Sequence, residues 1–144
     1  QPLLIATGGY DATTNYITTA EKYNTETNTW TAIANPAYTR RAAAAVVLGD
    51  LLYILGGYLG GGGITNNVET YNYKTDTWSS SASNMREARM FHSAVVHNGK
   101  IYVAGGRSTS IAVTHGEVYD PNTNTWTALP NLKRARRGGV LLVI

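Results

Sequence analysis

AGGRSTSIAVTHGEVYDPNTNTW, running from Ala104 to Trp126, holds a double glycine, a Glu-x-Tyr triplet and a tryptophan in fixed order. The same landmarks occur twice more. Trp30, Trp78 and Trp126 stand 48 residues apart, as do Tyr23, Tyr71 and Tyr119, and Glu21, Glu69 and Glu117. Arg41, Arg89 and Arg137 keep the same interval. The pairs Gly8-Gly9, Gly56-Gly57 and Gly105-Gly106 are spaced by 48 and 49 residues; the third repeat gains one residue in the Asn98-Gly99 turn and loses one after the glycines. Self-similarity at a fixed period of this length is the signature of a repeat architecture.

Each unit reads as β-structure. AAAAVVL, ending at Leu48, leads through the turn Gly49-Asp50 into LLYILGG, Leu51 to Gly57. In the next unit Asn98-Gly99 is a strong hairpin signal, because both residues tolerate the positive φ that a tight β-turn needs. After the glycines come a variable loop, a strand around Glu69 to Tyr71, a Thr/Asn/Asp turn and a short strand carrying Trp78. No helical period is sustained. Four short antiparallel strands per 48 residues describe the blade of a β-propeller.

The double glycine, the Glu-x-Tyr, the Trp and the Arg leading into the next strand resemble the kelch repeat, and the pattern covers the whole chain. The first repeat departs most: Thr7 precedes its glycines, and Pro36-Ala37 stand where the second repeat has Asn84-Met85. The expected fold is therefore all-β, a kelch-type propeller with three four-stranded blades per chain. Residues 1–34 would supply strands two to four of a first blade, 35–82 and 83–130 two further repeats, and 131–144 a lone first strand. Gln1-Pro2 aligns with the turn Gly49-Asp50. Three blades cannot close, since propellers have about four to eight. Either a homodimer by strand exchange, giving six blades, or the other half of a longer chain is expected to cap the exposed faces.

Composition narrows the chemistry. With 43% hydrophobic and 15% charged residues, the 144-residue chain is globular in character. It has no apolar run long enough to span a bilayer and no visible signal peptide, so no membrane partner is expected. Cysteine is absent, which excludes disulfides and thiolate chemistry and fits a reducing compartment without compelling one. No Asn-x-Ser/Thr sequon favours secretion. The missing initiator Met fits a processed, excised or engineered chain. Net charge is +3, with eight Arg against four Lys. The planar guanidinium suits carboxylate, phosphate and aromatic partners better than an ammonium does.

Because strands alternate in direction, the loops after strands two and four share one face of the disc, and these are the long, variable ones. Arg40, Arg41, Arg86, Arg89, Arg134, Arg136 and Arg137 fall in the crossings between blades, and Arg107, Tyr10 and Tyr58 each follow a double glycine. Arginine and aromatic rings together characterise binding hot spots. In peptide-binding kelch proteins, the resemblance implies contacts at three places. They are the residue after the double glycine (Tyr10, Tyr58, Arg107), the Arg entering strand one (Arg41, Arg89, Arg137) and its successor (Ala42, Met90, Gly138). The small or apolar successors depart from a carboxylate-binding pattern. The repeated Glu, Tyr and Trp read as elements of the fold, and the three repeated arginines are divided between fold and binding.

The leading expectation is a non-catalytic module presenting this face to an acidic peptide or protein. Two alternatives stand beside it. One is a symmetric self-assembling half-propeller without a natural ligand. The other is a sugar or sugar-acid enzyme of the kelch-like mutarotase kind, with His92, His115 or Glu87 moving protons; a copper-radical oxidase would need the Cys the chain lacks. No cofactor or metal is expected. Gly60 to Gly63 reads as a flexible loop and not a phosphate cradle, since no Gly-Lys-Ser/Thr or helix follows. Lys133-Arg134-Ala135-Arg136-Arg137 resembles a short nucleic-acid patch, but its place at a crossing makes it part of the same rim.

Overall fold

The hairpin signals become a meander of antiparallel strands. The structure, a computed structural model, describes residues 3–13 and 15–144; the Gln1-Pro2 alignment lies outside them. In chain order the first sheet holds β1 (Leu3–Thr7), β2 (Ala20–Asn24) and β3 (Thr29–Ile33). After the short β4 (Arg40–Arg41) comes β5 (Ala44–Leu48), then β6 (Leu51–Leu55), β7 (Tyr58–Leu59), β8 (Gly63–Ile64), β9 (Val68–Asn72) and β10 (Thr77–Ser79). The third unit repeats the plan with β11 (Ser93–His97), β12 (Lys100–Ala104), β13 (Arg107–Ser108), β14 (Ile111–Ala112), β15 (Gly116–Asp120) and β16 (Thr125–Leu129).

The second and third units are four-stranded, in the orders β5-β6-β9-β10 and β11-β12-β15-β16. The turn residues set the register. Asn98 and Gly99 both take positive φ, 48° and 71°, and lock His97 opposite Lys100. Gly49 alone does so in the preceding blade, at 62°, and places Leu48 opposite Leu51. Short ladders unannounced by the strand pattern, β4-β7-β8 and β13-β14, cap the loop face. Residues 137–144 form no strand, although the pattern predicts one there. Val140, Leu142, Val143 and Ile144 are exposed.

The repeated aromatics build the joints. In each unit the Tyr and Trp rings pack at 4.9 to 5.1 Å, and the Tyr hydroxyl donates to Asn28, Asp76 or Asn124 in the turn between them. Burial and the bond to Asp76 push the Tyr71 phenol up to about 12. Each following Trp then reaches back to the preceding crossing: Trp78 Nε1 donates to the Ala34 carbonyl at 2.6 Å and Trp126 Nε1 to the Ser83 carbonyl at 2.8 Å. Between the second and third sheets lies the main core, with Tyr53, Leu55, Val68, Met85, Ile101 and Val103 buried.

A second seam corrects the arginine register. The amides of Gly9, Gly57 and Gly106 each donate at 2.8 Å to the carbonyls of Arg40, Arg89 and Arg136. A Cβ on Gly8, Gly56 or Gly105 would sit 2.5 to 2.6 Å from those same carbonyls, so only glycine permits this approach. Ala42, Phe91 and Gly138 follow two residues later, all with positive φ between 54° and 66°. The equivalent arginines are thus Arg40, Arg89 and Arg136, not Arg41, Arg89 and Arg137, and Phe91, not Met90, matches Ala42 and Gly138. The even spacing of 48 misleads because the Trp-to-Arg intervals are ten, eleven and ten residues.

Candidate functional site

The corrected register separates structural from surface arginines. Arg40 is 4% exposed and Arg89 is fully buried, so the sequence-based placement of both on a ligand-binding face does not hold. Arg40 donates to Asn67 Oδ1 at 2.6 Å, to Glu69 Oε2 at 2.8 Å and to the carbonyls of Gly56 and Asn67. Arg89 repeats this with Glu117 Oε1 at 3.0 Å and the carbonyls of Gly105 and His115. Only the Nε of each is left without a partner. Burial pulls the Arg40 guanidinium below the ordinary arginine value, and the Glu69 charge opposes this. The glutamates also accept amides of the preceding crossing, Ala37 at 2.8 Å for Glu69 and Arg86 at 2.7 Å for Glu117. Each Arg–Glu unit therefore ties three segments of backbone together, and its charges are compensated within the fold.

The neighbouring position is the surface one. Arg41 is exposed, and β4 pairs it directly with Tyr58. Its guanidinium carbon lies 5.1 Å from the Tyr58 ring centroid and 5.2 Å from that of Tyr10. Tyr10 belongs to the first unit and Tyr58 to the second, so one arginine is held between rings of two adjacent units. Both distances are within cation–π range. In the next unit Met90 takes the Arg41 place and bridges Arg107, whose Nε is buried without a hydrogen-bond partner.

Three of the ten predicted face residues, Tyr10, Arg41 and Tyr58, are thus brought together, and Arg107 occupies the equivalent place one unit on. Arg86, Arg134, Arg136 and Arg137 are exposed at the crossings but do not join this cluster. Beside it, a cleft of about 650 Å³ opens between the first two units, lined by Ile5, Tyr10, Tyr38, Arg41, Ala44 and Ile54 among others. Tyr38 was not singled out from sequence; its ring lies 5.6 Å from the Arg40 guanidinium carbon, and the repeats give no signal for it.

The histidine candidates separate as well. His115 Nδ1 and Glu87 Oε2 are 2.8 Å apart on the surface. His92 is buried between the second and third units with neither ring nitrogen hydrogen-bonded. Burial, and then the Arg89 charge, bring its pKa down to about 3, with the Leu55 backbone opposing. Among the described residues no three His, Asp or Glu side chains gather as a metal site.

Comparison with known proteins agrees with this architecture. A family model described as the KLHDC2/KLHL20/DRC7 Kelch-repeats domain matches residues 2–143. Among solved structures, that of YjhT superposes with a TM-score of 0.69 at 24% identity, over 81% of this chain and 46% of YjhT. The chain thus spans just under half of that protein's length. No curated protein matched the sequence.

Proposed function

We propose, from the premise that this chain belongs to the kelch-repeat family and has its β-propeller fold, that it is a non-catalytic binding module whose loop face takes an acidic peptide or protein segment. The observation that carries this is Arg41, exposed yet held between the rings of Tyr10 and Tyr58. Exposed arginines usually pay rotamer entropy to engage a ligand. Here two aromatic faces restrain the side chain beforehand while its N–H donors stay available for a carboxylate. Arg107, paired with Met90 at the same place in the next unit, offers a second cation.

The test uses a fluorescein-labelled, glutamate-rich peptide titrated by anisotropy at low and moderate salt. Affinity should fall as salt rises and drop about tenfold on Arg41→Ala, as expected for a charge-assisted hydrogen bond. Binding indifferent to both salt and Arg41 would remove this reading.

One contact favours a second reading. The His115–Glu87 pair, 2.8 Å apart at the surface, could transfer a proton during sugar-acid mutarotation. His92 takes no part in it, being sealed from solvent. Following anomer equilibration of sugar acids by NMR decides: acceleration that His115→Ala abolishes supports this reading, and none rejects it.

A further inference from the structure

At one interior position of the loop face the chain carries an aromatic ring where its other units have alanine and glycine. We propose that this residue, Phe91, determines specificity on that face, taking a large apolar side chain of the ligand beside the carboxylate that Arg41 binds. The inference rests on the acidic-segment reading above and narrows it: the partner is an acidic segment interrupted by an apolar residue such as leucine.

The backbone at this position occurs three times. Ala42, Phe91 and Gly138 follow the seam arginines Arg40, Arg89 and Arg136 by two residues and take φ of 54°, 55° and 66°. They are also bonded to one another. The Phe91 amide donates to the Ala42 carbonyl at 2.9 Å, and the Gly138 amide donates to the Phe91 carbonyl at 2.8 Å. Phe91 is thus flanked on both sides by its own equivalents, in the middle of the array. These bonds use backbone groups alone, and glycine, which enters the left-handed region without steric conflict, satisfies them as well as any residue.

Phenylalanine is an unfavourable residue in such a place. A bulky side chain at positive φ is a backbone outlier, and outliers of this kind cluster at ligand-binding sites. Phe91 has the largest side chain of the described non-glycine residues with positive φ. Burial of the ring does not offset the strain, because Phe91 is 46% exposed while the adjoining Met90 is only 5% exposed. The crossing therefore sends Met90 into the core and presents the aromatic ring on the surface.

The neighbours of Phe91 define what the ring would meet. Through the bond to Ala42 its backbone lies next to Arg41, the arginine held between Tyr10 and Tyr58. On the other side Met90 bridges Arg107. An exposed ring set between two cationic positions matches a ligand whose carboxylates flank an apolar side chain. A wholly polar segment matches it less well, since covering the ring removes water without bringing apolar surface together.

The test compares two fluorescein-labelled peptides that differ at one residue, a glutamate-rich peptide with a central leucine and its central-alanine counterpart, titrated by anisotropy. The native chain should bind the leucine peptide about tenfold more tightly. Phe91→Ala should remove that preference, with the backbone accepting alanine as it does at Ala42, and Phe91→Tyr should keep it. Because the preference is a ratio measured within one protein, a general loss of folded material moves both affinities alike and leaves the ratio unchanged. Arg41→Ala should weaken both peptides and preserve the ratio. Equal affinity of the native chain for the two peptides, or a leucine preference that survives Phe91→Ala, would overturn the proposal. The acidic-segment reading fails differently: a leucine preference lost in Phe91→Ala but independent of salt and of Arg41 would remove that reading and leave Phe91 in its role.

Discussion

Lowering the pH from 7 to 5 should cost this protein about 2 kcal/mol of folding stability through His92 alone. The side chain is 7% exposed, and burial followed by the Arg89 charge takes it from the ordinary 6.5 to about 3. The folded state therefore keeps the ring neutral at pH 5, while in the unfolded chain it binds a proton below about 6.5. The contribution is fully present above the unfolded value and declines as pH falls, by about 1.4 kcal/mol per unit, until the folded value is reached near 3. Asp76 and Asp120 are held below the ordinary carboxylate value of 3.8, so they titrate beneath this window. Urea unfolding followed by tryptophan fluorescence at pH 7, 6 and 5, at one protein concentration, would compare the native chain with His92→Ala. Ala43 fills the equivalent place one unit earlier, so the backbone accepts alanine. The stability difference between the two proteins should shift by about 2 kcal/mol across the range. Parallel pH profiles would refute the placement of His92 in a sealed, proton-excluding site.

Other substitutions test the arginine register. Arg40→Ala should lose about 3 to 5 kcal/mol in denaturant unfolding by stranding the Glu69 carboxylate, whereas Arg41→Ala should stay within about 0.5 kcal/mol of the native chain. Equal losses at the two positions would show the one-residue correction to be wrong. Ala42→Gly should stabilise by about 0.5 to 1 kcal/mol in the same experiment, because φ there is 54° and the equivalent Gly138 already uses glycine. Trp30→Phe should lower the stability of this 144-residue chain less than Trp126→Phe, since Trp30 is exposed while the Trp126 indole N–H donates to the Ser83 carbonyl.

The blades were legible because three signals coincide in the second and third units: short apolar runs, a tight turn at Gly49-Asp50 or Asn98-Gly99, and the repeat itself. The roles of Glu69, Glu117 and the Tyr–Trp pairs followed from their recurrence. The arginines were misassigned for a specific reason. Doublets at Arg40-Arg41 and Arg136-Arg137 let a 48-residue register look intact while the crossings differ in length by one residue. Only the glycine-to-carbonyl seam, a contact between units, distinguishes the buried member from the exposed one. The Tyr10–Arg41–Tyr58 cluster was legible as composition but not as geometry, because its rings come from different units. The 137–144 segment reads as a strand, yet a strand needs a neighbouring edge, and among the described residues none pairs with it.

Recognition of an acidic segment through the Tyr10–Arg41–Tyr58 cluster is tested most directly by titrating a fluorescein-labelled, glutamate-rich peptide with the native chain and with Arg41→Ala, read by anisotropy at low salt. A loss of about tenfold in affinity for the variant is the predicted result. Equal affinity of the two proteins would contradict it.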